Sequence, residues 1–313
     1  MELKWLEDFV MLANTASFSR AADARNVTQS AFSRRIRQLE AWLGTTLISR
    51  TSLPAELTDA GKTFLPIAQE IIRTCHGLRE TWHPKQQTGE RRITFAALHT
   101  LAMTFLPTWL EQARATLPGL VTAIIPDRGG IEANLEALTS GEADLLLTYA
   151  HPFVPLLLDP MQFDWRVLGA ERLVPVTAPA LAEALELPAP IAPDEGLIER
   201  AIRVGLPLPY LDYGDSSFFG VALQRVFAGA RAPKRQVVHQ NAISAGLRVC
   251  ALAGWGFCWL PEDLVRRDLE TARLVLASHS PDWILPLDIR VYRHRAEARR
   301  TTEEFWAALR PTP

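Results

Sequence analysis

Two short helical segments separated by a tight turn stand near the start of the chain. Residues 18–25 and 29–40 both follow helical spacing, and Asn26 and Val27 lie between them. Ser17 and Thr28 precede these segments and are residue types that cap helix N-termini. An amphipathic segment at residues 3–13 supplies a further helix on which they can pack. This arrangement is typical of a helix-turn-helix unit.

The segment 29–40 has an apolar face and a polar face. Its apolar residues recur at i, i+4 and i+7 and are expected to pack on the first helix: Phe32, Ile36 and Leu39. The opposite face carries Gln, Ser and Arg, which can bind base edges or phosphates. N-terminal residues of a recognition helix usually meet the bases. We therefore predict base contacts from Gln29, Ser30, Ser33 and Arg34, and phosphate contacts from Arg35 and Arg37.

A wing is expected after this helix. Residues 47–58 hold two short apolar runs on either side of a turn with Pro54, which predicts two strands. Arg50 at the root of the turn is a further candidate for phosphate binding. Residues 1–58 are thus predicted to form a winged helix-turn-helix DNA-binding domain. A solvated basic helix is the alternative, which the caps, the turn spacing and the wing disfavour.

A long helix is predicted after Thr58, a residue suited to cap it. Its apolar residues step by 4, 3, 4, 3 and 4, which is a heptad seam typical of helix dimerisation. Packing on its own domain is the alternative. Pro66 lies inside this helix, and residues 83–90 are polar with helix breakers, so residues 59–90 are assigned to a linker helix and hinge. The seam consists of Phe64, Ala68, Ile71, Cys75, Leu78 and Trp82.

From residue 91 onward, short strands alternate with helices. This alternation predicts an α/β fold with a parallel sheet. The order repeats after residues 173–177, which indicates a two-lobed ligand-binding module. We assign residues 91–313 to an effector-binding domain, with lobe I at about 91–168 and 269–313 and lobe II at about 169–268.

Composition excludes several classes of function. The net charge of −2 gives no overall attraction to nucleic acid, so DNA binding depends on local charge. Three scattered cysteines favour reduced, buried thiols over a disulfide framework or a zinc site, and no metal or cofactor is expected. The chain lacks the Gly-x-Ser-x-Gly, Walker A and His-Glu-x-x-His motifs, so it is not expected to be an enzyme. It also lacks a signal peptide and a membrane-spanning run, which predicts a cytoplasmic protein.

The chain resembles the LysR-type transcriptional regulators along essentially its whole length. The segments that carry the resemblance are FSRAA at 18–22, VTQSAFSRRIRQLE at 27–40, LTDAG at 57–61 and GWGFCWLP at 254–261. The resemblance implies a winged helix-turn-helix, a linker helix, an effector domain of the type 2 periplasmic-binding-protein fold, and a homotetramer. Within the family, KWL at 4–6, RNV at 25–27, AALHTL at 96–101 and SFFG at 217–220 are similar to the hypochlorite-responsive regulators.

An effector site is expected where the strands of the two lobes end. Open α/β sheets bind ligands at the carboxyl ends of their strands, in the crevice, and the resemblance agrees. Several of the polar groups there are neutral hydrogen-bonding groups, so a small polar ligand is favoured. Helix capping and ordinary packing are the alternatives, and for Arg128 a solvated loop position. The candidate contacts are His99, Thr100, Arg128, Thr148, Ser216, His239 and Asn241.

Two other functions are left open by the sequence. An oxidant sensor could respond through cysteine or methionine, and Met103 is predicted to lie in a helix that opens off the crevice. A binding protein without a regulatory role would account for the α/β part but not for the N-terminal domain. An effector-responsive DNA-binding regulator is therefore the primary prediction.

Overall fold

A computed structural model describes residues 1–49, 54–82, 91–125, 130–156, 158–192, 195–228, 232–295 and 299–309. For Arg73 and residues 76–82 the backbone alone is described. Buried apolar side chains form one cluster in the N-terminal domain and two in the effector domain. Among the described helices, none combines the length and the hydropathy that crossing a bilayer requires.

Three helices and a two-stranded wing form the N-terminal domain, as the sequence predicts. Ser17 Oγ accepts the N–H of Arg20, and Thr28 Oγ1 accepts the N–H of Ala31, so both caps are confirmed. Asn26 in the turn adopts a left-handed conformation with φ of 52°, which asparagine tolerates well. The elements are α1 Leu3–Thr15, α2 Phe18–Ala24, α3 Gln29–Leu43, β1 Ile48–Ser49 and β2 Glu56–Leu57.

The long helix α4 spans Asp59–Trp82. Thr58 Oγ1 accepts the N–H of Gly61 at 3.0 Å, which confirms the expected cap. A Cβ atom at Gly61 would lie 2.1 Å from the carbonyl oxygen of Leu47, so only glycine lets the helix approach the wing so closely. The first turn of α4 is thereby fixed against β1.

Nine strands form the effector domain in the described part of the chain. One sheet has the order β10-β6-β11-β5-β3-β4, with β9 also paired to β6, and the pair β7–β8 stands apart from it. The strands are β3 Arg91–Ala97, β4 Leu120–Ile124, β5 Leu145–Ala150, β6 Phe163–Thr177, β7 Leu208–Asp212, β8 Arg235–Gln240, β9 Cys258–Pro261, β10 Val275–Leu276 and β11 Leu285–His294.

The large sheet is mixed, whereas the sequence predicts a parallel one. β3 pairs in parallel with β4 and β5, but β11 runs antiparallel to both β5 and β6. The reason is that β11 re-enters lobe I after the chain has passed through lobe II, from the opposite direction. The sequence predicts a strand only at residues 173–177, whereas β6 has 15 residues. It pairs first with β11 and then, towards its end, with β9 and β10. It therefore belongs to both lobes.

The helix expected over residues 100–116 is two helices. They meet at Phe105, because Pro107 has no N–H to donate to the preceding turn. Thr100 does not cap the first of them, since that helix begins at His99 after Leu98. The helices are α5 His99–Thr104, α6 Leu106–Thr116, α7 Gly130–Thr139, α8 Pro179–Ala184, α9 Leu197–Val204, α10 Phe218–Phe227, α11 Ser244–Leu252, α12 Glu262–Glu270 and α13 Arg300–Ala308.

A buried carboxylate, Glu171, lies on β6 where the strand passes between the lobes. Its side chain accepts the N–H of Arg172 at 2.8 Å and the N–H of Asp263, at the start of α12, at 3.4 Å. Burial raises the pKa of Glu171 to about 7, and the negative charges of Asp263 and Glu262 act in the same direction. The hydrogen bonds from the two backbone amides oppose this shift without cancelling it.

Glu171 should make the stability of the effector domain fall as the pH rises. The folded protein disfavours the charged carboxylate. The resulting loss of stability is therefore absent below the ordinary pKa of a glutamate and is fully present above pH 7. Relative to the parent, the free energy of unfolding of Glu171→Gln should therefore rise by about 2–3 kcal/mol when the pH is raised from 5 to 8. Urea unfolding at both pH values measures this. Parallel pH profiles for the two proteins would contradict the assignment.

Candidate functional site

The helix α3 presents the polar face that the sequence predicts. Phe32, Ile36 and Leu39 have no exposed surface and pack into the N-terminal core, so the opposite face points outward. Ser33 is half-buried at the edge of that outer face. The exposed predicted contacts are Gln29, Ser30, Arg34 and Arg37.

Arg35 is placed differently from the prediction. Its side chain is 24% exposed, and its Nη1 donates to Oδ2 of Asp8 at 3.2 Å. Asp8 has no exposed surface, so it needs this cation as a partner. We therefore assign Arg35 to the interior of the domain and no longer to a phosphate. The predicted phosphate contact Arg50 lies outside the described residues.

The predicted seam on α4 is divided between two partners. Ala68 is fully buried in the N-terminal core, and the ring of Phe64 lies 5.6 Å from that of Phe9. These two residues pack within their own domain, which corrects the prediction, because the heptad pattern cannot identify the partner. Ile67 is 50% exposed, Ile71 is half-buried and Cys75 is exposed. The side chains of Leu78 and Trp82 are not among those described.

The N-terminal domain contacts lobe I through Arg25 in the helix-turn-helix turn. Its guanidinium pairs with Glu7 at 2.6 Å and Asp8 at 3.0 Å on α1, and with Glu136 of α7 at 2.8 Å. Beside this network Val10 and Ile72 are each only 2% exposed, and they lie at a small crevice that α7 residues also line. The turn that orients the recognition helix is thus bonded directly to the effector domain.

The same helix α7 reaches lobe II at its other end. A Cβ atom at Gly130, the first residue of α7, would lie 3.5 Å from the carbonyl oxygen of Ser216. Ser216 is exposed at the predicted crevice, just before the cap residue Ser217 of α10. One helix of ten residues therefore touches lobe II at its start and the N-terminal domain further along.

The other predicted effector contacts differ in their surroundings. Thr148 is buried and its hydroxyl donates to the carbonyl oxygen of Tyr149, while Asn241 Oδ1 accepts the N–H of Ile243. These two side chains therefore make local hydrogen bonds within their own segments, which fits the alternative of capping and ordinary packing. Thr100 is buried, His99 is exposed, and the ring of His239 packs edge-on against Trp255. Arg128 lies outside the described residues.

Tyr149 is buried where lobe I packs against lobe II, and the sequence analysis did not include it among the candidate contacts. It is the last residue but one of β5, and its ring packs against Phe218 and Phe219 of lobe II at centroid distances of 6.0 and 5.2 Å. Its hydroxyl is buried and has no hydrogen-bond partner among the described residues, and burial raises the pKa of Tyr149 well above its usual range. The alternation of Leu145, Leu147 and Tyr149 was the available signal, since it puts Tyr149 on the face opposite Thr148.

The sulfur atoms are distributed unevenly between core and surface. Cys258 is buried, and burial raises the pKa of its thiol, so it is not a reactive thiolate. The expectation of buried thiols fails for Cys75, which is exposed, and holds only partly for Cys250. Met103 is 53% exposed and Met161 is 83% exposed. Within the described residues, no cluster of His, Cys, Asp and Glu could hold a metal ion.

Two family matches cover nearly the whole chain. Residues 3–62 match the bacterial regulatory helix-turn-helix protein, lysR family, and residues 86–312 match the LysR substrate binding domain. The chain is 28% identical over 311 residues to the HTH-type transcriptional regulator YjiE of Escherichia coli K12, covering 99% of this chain and 94% of that protein.

Solved structures of two related regulators agree with this. DarR of Vibrio fischeri, determined in complex with DNA, is 26% identical with a TM-score of 0.55, covering 98% of this chain and 97% of that one. Full-length HypT from Salmonella typhimurium, a hypochlorite-specific LysR-type regulator, is 27% identical with a TM-score of 0.54, covering 98% and 96%. This chain therefore belongs to the LysR family of DNA-binding transcriptional regulators, which are not enzymes.

Proposed function

We propose that this regulator reads promoter DNA with the exposed face of α3. The observation that carries the proposal is the outward direction of Gln29, Ser30 and Arg34 on a helix whose other face is fully buried. Ser33 at the edge of the face completes the base-reading set. Arg37, and Arg50 in the wing, supply phosphate contacts that position the domain on the duplex.

A second copy of the chain completes the DNA-binding unit in this proposal. One recognition helix covers one half-site, and symmetric dimers bind two half-sites. The apolar strip of Ile67, Ile71 and Cys75 on α4 is the surface that supports dimerisation, since Ile67 and Cys75 are exposed and Ile71 is half-buried. The effector domains would join two dimers into a cytoplasmic homotetramer, as the family resemblance implies.

The effector in this proposal is a small polar molecule between the lobes. The buried hydroxyl of Tyr149 has no partner among the described residues, and a ligand that accepts its hydrogen would remove that cost. Ser216 and His99 are exposed beyond the ends of β7 in lobe II and β3 in lobe I, and this proposal assigns both to the same ligand.

We further propose that α7 transmits the state of the crevice to the DNA-binding domain. Its first residue lies beside Ser216 of lobe II, and Glu136 holds Arg25 in the helix-turn-helix turn. Because a helix is stiff, a ligand that moves lobe II against Gly130 would also shift Arg25. The change would then reach α3 through Asp8, which pairs with both Arg25 and Arg35.

Oxidant sensing is the second candidate function. It is supported by the accessible thioethers of Met103 and Met161 and by the similarity to the hypochlorite-specific regulator HypT. Oxidation would turn these apolar side chains into polar sulfoxides. Met103 lies in α5 next to the crevice, so its oxidation could replace a bound ligand as the signal.

Base reading and phosphate binding can be separated with two variants. Arg34→Ala should lose about 1–3 kcal/mol of binding free energy for a DNA site selected from a random pool. It should also discriminate less between that site and random DNA. Arg37→Ala should weaken selected and random DNA alike and lower the slope of log affinity against log salt by about 1. Fluorescence anisotropy at several salt concentrations measures both. Unchanged discrimination in Arg34→Ala would refute the base-reading role.

The contact between the domains is tested by charge reversal. In Glu136→Arg two like charges face each other, so the N-terminal domain should separate from α7 and expose Ile72. Hydroxyl-radical footprinting should then show several-fold faster labelling of Ile72. Glu270→Arg, at an exposed site in lobe II, is the matched control and should leave that rate unchanged. Equal labelling of Ile72 in both variants would exclude the contact.

The oxidant-sensing candidate makes its own prediction. Stoichiometric hypochlorite should change DNA affinity in the parent protein and leave it unchanged in a Met103→Leu, Met161→Leu variant, because leucine keeps the volume but has no sulfur. Mass spectrometry identifies the oxidised residues in the same samples. An equal response in both proteins would exclude these methionines as the sensor.

A further inference from the structure

A cavity of about 590 Å³ lies in lobe I, between residues 150–156 and 158–160 on one side and the strands β6 and β11 on the other. Its volume falls in the range of small-molecule sites, which is roughly 300–1,000 Å³. Tyr292 and Phe163 line it and also belong to the apolar cluster on the α7 side of the sheet. Val154 and Leu287, which also line it, belong to the cluster on the other side of the sheet. Neither Tyr149 nor the crevice candidates Thr148 and Ser216 line the cavity, which is therefore distinct from the crevice between the lobes.

The covering segment contains three prolines that line the cavity, Pro152, Pro155 and Pro160. Each proline fixes its φ angle near −65°, so little conformational freedom remains to be lost when a ligand binds. Val154 in the same segment is 4% exposed and anchors it to the core of the domain. This segment thus forms a preorganised wall of the cavity.

A β-bulge shapes the floor of the cavity. The register of β6 against β11 shifts between Ile289, opposite Gly169, and Arg290, opposite Val167. The extra residue reverses the alternation of side chains along β6. As a result Trp165 before the bulge and Ala170 after it both line the cavity. The large ring forms a wall, and the small side chain leaves space.

The polar groups of the cavity leave no net charge to attract an anion. Arg290 donates from Nη2 to Oδ2 of Asp288 at 2.6 Å, and its guanidinium lies 4.2 Å from the ring centre of Trp165. Oδ1 of Asp288 has no partner among the described residues. His151 Nδ1 accepts the N–H of Phe153, and burial lowers the pKa of His151, so the ring is neutral with Nε2–H as a donor.

We propose that this cavity is a second ligand site, which takes a small uncharged aromatic molecule with an N–H or O–H donor. Its ring would pack against the side chains of Trp165 and Tyr292, and its donor would bond Oδ1 of Asp288. A carboxylate would meet the Asp288 charge while the only cation of the lining is already paired. Because β6 continues into lobe II, a molecule held here would act on the strand that joins the lobes.

Indole and benzoate test the proposal, since they have similar size and differ in charge. Titrated against the full-length protein at pH 7.5 in ligand-observed NMR, indole should bind saturably with a dissociation constant below about 1 mM. Benzoate should bind at least tenfold more weakly. Ala170→Leu fills the space and should weaken indole at least tenfold. Ser216→Ala, in the crevice, is the control and should leave indole binding unchanged.

Asp288→Asn provides a second, independent variant at a partly exposed position. It removes the repelling charge and releases Arg290, so benzoate should now bind at least tenfold more tightly than indole. The proposal is overturned if indole does not saturate, if benzoate binds the parent as tightly as indole, or if Asp288→Asn keeps the parent's preference. It is also overturned if a folded Ala170→Leu variant binds indole like the parent. None of these outcomes depends on DNA binding, so the regulatory role is tested separately.

Discussion

The buried carboxylate of Asp8 is the group on which the DNA-binding half depends. It has no exposed surface, and it accepts hydrogen bonds from Arg25 at 3.0 Å and Arg35 at 3.2 Å. A buried charge is tolerated only when it is paired, so the three side chains hold one another in place. One arginine comes from the turn and the other from α3, and both are thereby fixed against α1. Arg25 extends the network to Glu136 in the effector domain.

This network divides the cations of α3 between two tasks. Arg35 is used inside the domain, which leaves Arg34 and Arg37 for DNA. Two cations on one helix give a modest attraction, and the net charge of −2 adds none. A single domain would therefore bind weakly. The apolar strip on α4 matters for this reason, because the proposed pairing of two copies would double the number of phosphate contacts.

Local sequence patterns correctly predicted the elements that they specify. The predictions failed where a residue's packing partner lies far away in the chain. Helical spacing identified the buried face of α3, and residue type identified the caps at Ser17 and Thr28. The heptad on α4 located apolar residues correctly, but Phe64 pairs with Phe9 because α1 covers that side. The burial of Glu171 and the cavity beside Trp165 depend on the pairing of β6 with β11. Strand pairing over such sequence separations, and the bulge within it, leave no local pattern to recognise.

The continuity of β6 also limits how the effector domain can move. Lobes joined by flexible segments can swing apart about a hinge, with little cost in hydrogen bonds. Here a single 15-residue strand passes through both lobes and is paired along its length with strands of each. Swinging apart would break these ladders, whereas twisting preserves them. The geometry therefore favours rotation of one lobe about the strand axis over hinge opening, and in the relay proposed for α7 such a rotation would displace the first turn of that helix sideways.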